Sequence, residues 1–258
     1  MMLCRQFECW KIGSDLMKNP EIWKPSKYEM VNGQLRGSMD PCELAISSRF
    51  IANVVAGFYN RAIPAYCTGK LVDLGCGKAP LYGLYKHYST NVILADWPQT
   101  SHPNECLDYP CDLNQALPFD DNEFDTIILS DVLEHIPEPI QLWQEMYRIL
   151  SVHGKLLLNT PFYYWLHETP YDYYRYTEYA LAYMAQSAGF KVIELDCFGG
   201  VPEIILDLLG KKFAMKKSGR TFFLWMIQKL GARLKDKTLE KKSRKLFPLG
   251  YFMVVEKE

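Results

Sequence analysis

At 258 residues, 48% hydrophobic and 23% charged, the chain can bury a sizeable core as one α/β domain with a small appended subdomain. Its formal net charge of −1 gives no whole-molecule reason to expect a nucleic-acid partner. No stretch approaches the ~20 apolar residues needed to span a bilayer, and Met1 to Trp10 does not read as a secretory signal, because Arg5 and Glu8 interrupt it.

The chain in order begins with residues 1–39, which lack clear periodicity and are read as an arm or lid. Asp40-Pro41-x-Glu43 has the form of a helix start, with an N-cap acid, proline in the first turn and a capping-box glutamate. Leu44, Ser47, Ile51, Val55 and Phe58 follow on one helical face, and the helix is expected to end near Pro64. Residues 1–64 thus form a helical N-terminal arm and cap, and residues 65–258 the main domain.

From Lys70 onward strands and helices alternate. Strands are expected at Lys70 to Leu74, Asn91 to Asp96, weakly at Asp108 to Asp112, then at Asp125 to Ser130, Lys155 to Thr160, Phe190 to Phe198 and Tyr251 to Glu256. Helices are expected at Pro80 to Tyr88, at Pro137 to Ser151 with His153-Gly154 as its stop, and from a Thr177 cap through Ala188 with Gly189 as its stop. Continuous apolar strands alternating with helices mean a mostly parallel sheet covered on both faces.

The eight cysteines are scattered without a CxxC pair, which argues for reduced thiols and a cytoplasmic protein. Cys106, Cys111 and His102 do not match a structural zinc spacing, so no metal site is expected.

Leu71 to Gly77, L-V-D-L-G-C-G, describes a buried strand running into a tight turn where backbone can approach a ligand. Pro80 stands where the nicotinamide fingerprint needs its third glycine, and no G-x-x-x-x-G-K-[ST] loop occurs. The turn therefore suits adenosine without a pyrophosphate.

With L-P-F-D at Leu117 to Asp120, F-D at Phe124-Asp125 and Glu134-His135 after the fourth strand, the stretch from about Lys70 to Phe198 resembles the class I S-adenosylmethionine-dependent methyltransferases of the type 11 branch. The resemblance implies a Rossmann-like seven-stranded sheet whose last strand is antiparallel, and S-adenosyl-L-methionine as cofactor. It implies that Asp73, Gly75, Cys76 and Gly77 face the methionine end. Asp96 would take the ribose hydroxyls, a role suited to an acceptor-only carboxylate about 20 residues past the glycines, with Trp97 beside it. Asp112 and Leu113 would hold adenine, and Ser130 would lie beneath the methionine. Taken singly, Asp73 could be a structural acid and Asp96 and Asp112 unrelated surface acids; their order after successive strands favours the cofactor.

Phe162 to Thr177 holds eight aromatics together with His167, Glu168, Asp172 and Arg175, too many for a solvated connector. Aromatic faces with polar tips suit a sugar or another flat, hydroxylated acceptor. The run resembles the H-P-x-D-Y-x-R-Y-T segment of bacterial methyltransferases in glycan and natural-product pathways, with Glu168 where proline is frequent and a different spacing to Tyr171. His167 is the expected base or hydroxyl orienter, His135 a second candidate, and Tyr171, Arg175 and Tyr176 would shape the acceptor pocket. A structural alternative packs the aromatics as core, pairs Arg175 with Asp172 and leaves His135 as a cap.

The region from Pro202 to Pro248 is read as a helical insertion before the last strand. Lys211 to Lys245 carries 13 Lys and Arg against two acids, a balance of 13 − 2 = +11, so the rest carries −12. Its apolar stretch, residues 221–235, could close the active site as a lid or lie on an anionic membrane surface. The second case would make the protein peripheral at the inner membrane face and a lipid-linked saccharide its acceptor. The expected reaction is methyl transfer to a small or carrier-linked acceptor, foremost a sugar hydroxyl in glycan biosynthesis. A quinone, phenol or other natural product is the alternative acceptor, and a noncatalytic cofactor-binding scaffold the alternative class.

Overall fold

The computed structural model describes residues 20–99, 104–214 and 237–258. Seven strands form one sheet: β3 (Lys70–Leu74), β4 (Asn91–Asp96), β5 (Tyr109–Pro110), β6 (Phe124–Ser130), β7 (Leu150–Pro161), β8 (Phe190–Phe198) and β9 (Gly250–Lys257), in the order β5-β4-β3-β6-β7-β9-β8. The strands from β5 to β7 pair in parallel, while β9 enters between β7 and β8 antiparallel to both. This is the seven-stranded, mostly parallel sheet expected, with its last strand reversed.

Period-2 alternation along each strand divides the core in two. Val72, Leu74, Ile127, Leu129, Leu156, Leu158, Met253 and Val255 point to one face, where α3 (Pro139–Ile149) and α4 (Glu178–Ser187) bury Leu142, Trp143, Met146 and Leu181 against them. Leu71, Leu94, Ile128, Leu157, Phe252 and Val254 point to the other, beneath α1 (Arg49–Tyr66). Both faces being dry explains why these strands read as continuous apolar runs.

The arm differs from the expected helical form. Residues Tyr28–Val31 (β1) and Gln34–Gly37 (β2) make a hairpin turned by Asn32 and Gly33, both at positive φ (51° and 75°). A two-residue Asn-Gly turn matches the twist of its flanking strands. Its outer strand is clamped to α1: Asn60 exchanges two hydrogen bonds with the Leu35 backbone, at 2.8 and 2.9 Å, and Asn53 accepts from Gly37 N–H at 2.9 Å. Edge backbone groups that would otherwise go unpaired are thereby satisfied.

Three further boundaries move. Asp40 caps a single turn, accepting from Cys42 N–H at 2.8 Å, and the α-helix starts only at Arg49. The Arg49 guanidinium donates to the Ser38 and Met39 carbonyls, tying that segment beside the helix start, with the Asp40 turn and a short 3-10 turn at Ile46–Ser48 between them. Pro64 lies inside the last turn of α1, which runs on to Tyr66. After the next strand, α2 (Tyr82–Tyr85) is only one turn long. His153-Gly154 does not stop α3. The helix passes into β7 at Leu150, and residues 151–154 bulge, with His153 at φ 66°, before pairing resumes at Lys155. Between β8 and β9 the chain forms α5 (Val201–Ala214) and α6 (Lys237–Leu246). The apolar stretch 221–235 lies outside the described residues. Among the described residues no helix is long and apolar enough to cross a membrane.

Candidate active site

The carboxyl ends of β3, β4 and β6 open into a cavity of about 640 Å³, where open α/β sheets bind ligands. The turn after β3 forms its floor. Gly75 and Gly77 sit at φ 67° and 51°, and a Cβ on Gly75 would stand 2.5 Å from Val132 Cγ2. The N–H groups of Gly75 and Cys76 both donate to the Ala95 carbonyl, at 2.8 and 3.2 Å, which fastens the turn to β4. At the end of β4, Asp96 accepts from Gly77 N–H at 2.7 Å and from Trp97 N–H at 2.6 Å. Asp112 and Leu113 face the same cavity, with Asp112 accepting from Asn114 N–H at 2.9 Å. Ser130 completes this side, its hydroxyl donating to Asn159 Oδ1 at 2.9 Å.

Eight of the nine residues assigned to the cofactor from the sequence thus share one wall, and Asp73 does not. It lies behind the turn, 3% exposed, accepting from the Tyr85 hydroxyl at 2.8 Å. Burial raises its pKa, the Tyr85 hydrogen bond pulls part of the way back and the Asp96 charge raises it further, to about 7. The residues present fit S-adenosyl-L-methionine: a floor without Cβ at Gly75, an acceptor-only carboxylate at the end of β4 and the apolar Leu113 side chain.

The arm roofs the cavity. Trp23 donates its indole N–H to the Ala79 carbonyl at 3.1 Å, and Lys27 reaches Asp131 at 2.7 Å. Asp131, at φ 54°, also accepts from Asn159, whose side-chain carbonyl takes the Tyr59 hydroxyl at 2.7 Å. A second chamber of about 150 Å³ adjoins the first and shares Lys27, Leu44, Asp131 and Glu168 with it. Tyr164 and His167 line this chamber opposite Ile51, Val55 and Leu249.

Between the chambers stands a cluster centred on Glu134, which is 0% exposed. His135 comes from the same short turn after β6, and His167 from the loop after β7. Their Nε2 atoms lie 3.8 and 3.7 Å from Glu134 Oε1, and the two rings meet edge to face at 4.7 Å. Burial raises the Glu134 carboxyl, partly countered by His167. For His167, burial works to lower the imidazole pKa, but Glu134 and Asp172 outweigh it and leave it raised.

The predicted acceptor residues separate. Tyr171 lines the larger cavity, edge-on to Trp97 at 5.2 Å. Arg175 lines neither; it grips Asp172 through both Nη atoms, at 2.5 and 2.7 Å, and donates to the Trp165 carbonyl. That pairing and the Arg175 charge, aided by His167, overcome burial and hold the Asp172 carboxyl down at about 2. Tyr176 is core, 6% exposed, with its hydroxyl donating to the Leu133 carbonyl at 3.2 Å. Lys27, Asp131, Tyr164 and Asn159 are the site residues that sequence reading passed over. Only Tyr164 stood in a stretch already marked by its aromatic content.

Residues 72–158 match the family model of a methyltransferase domain. Comparison with curated proteins gave no match. Among solved structures, a SAM-dependent methyltransferase from Archaeoglobus fulgidus is 18% identical, with TM-score 0.51 over 79% of this chain and 93% of that one. The putative methyltransferase from Haloferax volcanii, solved with the Trm112 activator, is 16% identical, with TM-score 0.51 over 82% and 97%. The [4+2]-cyclase SpnF is 15% identical, with TM-score 0.54 over 90% and 87%. At these identities the likeness is one of fold, and SpnF shows that this fold also carries other chemistry. The domain match across the central strands, together with the likeness of fold, gives this chain a methyltransferase domain at residues 72–158 on the fold of S-adenosylmethionine-dependent methyltransferases.

Proposed function

We propose that the acceptor is a hydroxyl compound, foremost a sugar free or carried on a lipid, bound in the 150 Å³ chamber beside the cofactor cavity. The supporting observation is the junction of the two chambers at Lys27, Leu44, Asp131 and Glu168, with His135 on one side and His167 on the other. S-Adenosylmethionine supplies a sulfonium-bound methyl group, so the protein's task is above all to place the acceptor oxygen in line with it. On this reading the glycine turn with Cys76 serves the methionine end, Asp96 and Trp97 the ribose, Asp112 and Leu113 the adenine, and Ser130 the methionine from below. Lys27, Asp131 and Tyr164 offer hydrogen bonds to ring hydroxyls, and Tyr171 flanks the entrance. The cluster of Glu134, His135 and His167 orients the reacting hydroxyl and receives its proton. Arg175 and Tyr176 act from outside the pocket, by holding the loop that carries His167.

A phenol or quinone acceptor is the second reading, favoured by the apolar wall of Ile51, Val55, Phe198 and Leu249. Turnover of labelled S-adenosylmethionine against nucleotide sugars, lipid-linked saccharides and substituted phenols separates the two. A methyl ether formed on a sugar, with KM raised in Lys27→Met and Tyr164→Phe, is the expected result. Methylation of phenols alone would refute the sugar assignment. A preference for vesicle-borne over free acceptor would support action at a membrane surface.

A further inference from the structure

We propose that Glu134, His135 and His167 form a binding site for one divalent transition-metal ion of the zinc class. One oxygen of the wholly buried Glu134, Oε2, accepts from the Thr160 hydroxyl at 3.3 Å, while the other, Oε1, has no hydrogen-bond partner. Both histidine Nε2 atoms face that oxygen, at 3.7 and 3.8 Å, and the three ligand atoms lie within 4.8 Å of one another. A hydrogen bond would bring such atoms below about 3.2 Å. A tetrahedral ion with bonds of about 2.0–2.2 Å holds its ligand atoms roughly 3.3–3.6 Å apart. The two Nε2–Oε1 distances lie a few tenths of an ångström outside that range.

The surroundings prepare both imidazoles as ligands. His135 Nδ1 lies 2.9 Å from the Tyr171 carbonyl, which can only accept, so the ring proton sits on Nδ1 and Nε2 carries a lone pair. His167 Nδ1 stands 3.3 Å from Asp172 Oδ2 without a hydrogen bond between them, and Asp172 is itself fixed by Arg175 and by the His167 backbone N–H at 3.0 Å. Metal-bound histidines nearly always present their second nitrogen to a carbonyl or carboxylate, as His135 does here, and Asp172 stands beside His167 within reach of the same role. Two lone pairs and a buried carboxylate oxygen converging on one point need positive charge among them. Two histidines and a glutamate with an open fourth position are a zinc-type donor set.

The ion would sit where the two chambers meet, since His135 lines one and His167 the other. Its open position would take the acceptor oxygen and ease loss of the hydroxyl proton to solvent, in place of proton transfer to an imidazole whose lone pair the ion holds. That role rests on the methyl-transfer reading above, whereas the binding itself does not.

The test uses the full chain stripped with chelator and desalted, then titrated with zinc(II) by calorimetry and with cobalt(II) by visible absorption. One equivalent of zinc is expected, with cobalt d–d bands of a nitrogen and oxygen site. Glu134→Gln and His167→Ala should each weaken binding by about 100-fold or more, and Asp172→Asn by about 10- to 100-fold. Titration with S-adenosylhomocysteine reports in every variant that the fold and cofactor cavity persist, and His135→Ala, at a partly exposed position, serves if the buried replacements do not fold. Folded, cofactor-competent wild type that takes up no ion overturns the proposal and leaves a proton as the shared charge. So do zinc uptake undiminished in His135→Ala and His167→Ala, and a thiolate charge-transfer band that assigns the ion to cysteine. None of these outcomes touches the methyl-transfer reading, which cofactor binding and turnover decide separately.

Discussion

Replacing Asp73 by asparagine gives a pH dependence whose sign and size follow from the geometry. The carboxyl is 3% exposed, with the Tyr85 hydroxyl at 2.8 Å. Burial outweighs that hydrogen bond, the Asp96 charge adds to it, and the pKa reaches about 7 from the usual carboxylate value of 3.8. Between those values the folded protein keeps a proton that the unfolded chain has released. Folded protein therefore binds more protons in this window, and stability falls as pH rises through it. At about 1.4 kcal/mol per pKa unit, three units amount to roughly 4 kcal/mol, fully lost above pH 7.

The Asp73→Asn variant carries no ionisation there, and its amide oxygen can still accept from Tyr85. Its stability relative to wild type should rise by about 1.4 kcal/mol per pH unit between roughly pH 4 and 7, then stay constant. Urea unfolding of both proteins without cofactor at pH 4.5, 5.5, 6.5 and 8 measures the difference, and other titrating groups cancel in it. In melting temperature each kcal/mol corresponds to about 2–4 °C for a chain of this size. A difference that does not change with pH would mean that Asp73 is ionised throughout, and the burial argument would fail.

Three other replacements probe the site. Asp96→Asn keeps the shape but removes the charge that two backbone N–H groups meet, and S-adenosylhomocysteine affinity should fall roughly 10- to 100-fold by calorimetry; unchanged affinity would remove Asp96 from the cofactor site. Gly75→Ala places a Cβ 2.5 Å from Val132 at a positive φ and should cost about 2 kcal/mol or more, with Val132→Ala in the same chain recovering only the steric part. Arg175→Ala strands the Asp172 carboxylate, whose side chain is 1% exposed, and should cost about 3–5 kcal/mol in chemical unfolding. A loss below about 1 kcal/mol would show that water replaces the guanidinium there.

Much of the sheet was legible because its signals are local. Asn91–Asp96 and Phe190–Phe198 are apolar runs bounded by turn residues, and their limits read correctly. The hairpin was equally local, since Asn32-Gly33 lies between two short strands, but its strands are only four residues each and make no long periodic run. The Asp40 signal was real and misleading. An acid followed by proline starts a turn as readily as a helix, and the Arg49 bonds to residues 38 and 39 decide which.

The site divides along the same line. The wall of the larger cavity follows from strand ends, and strand ends are written in sequence. Lys27 meets Asp131 across 104 residues and Tyr59 meets Asn159 across 100, so only the folded arm and α1 bring those groups together. Arg175 and Tyr176 show the converse error: residue type suggested a pocket, while one has a carboxylate three residues away and the other a carbonyl in the core. Glu134-His135 and His167 stand about thirty residues apart on separate turns, each ordinary alone. What gives them chemistry is that β6 and β7 run parallel and end together, so that a carboxylate held by Thr160 from behind meets both imidazoles. The register that pairs Ser130 with Asn159 fixes this convergence, and a change of register would separate these three side chains while leaving each one's local sequence intact.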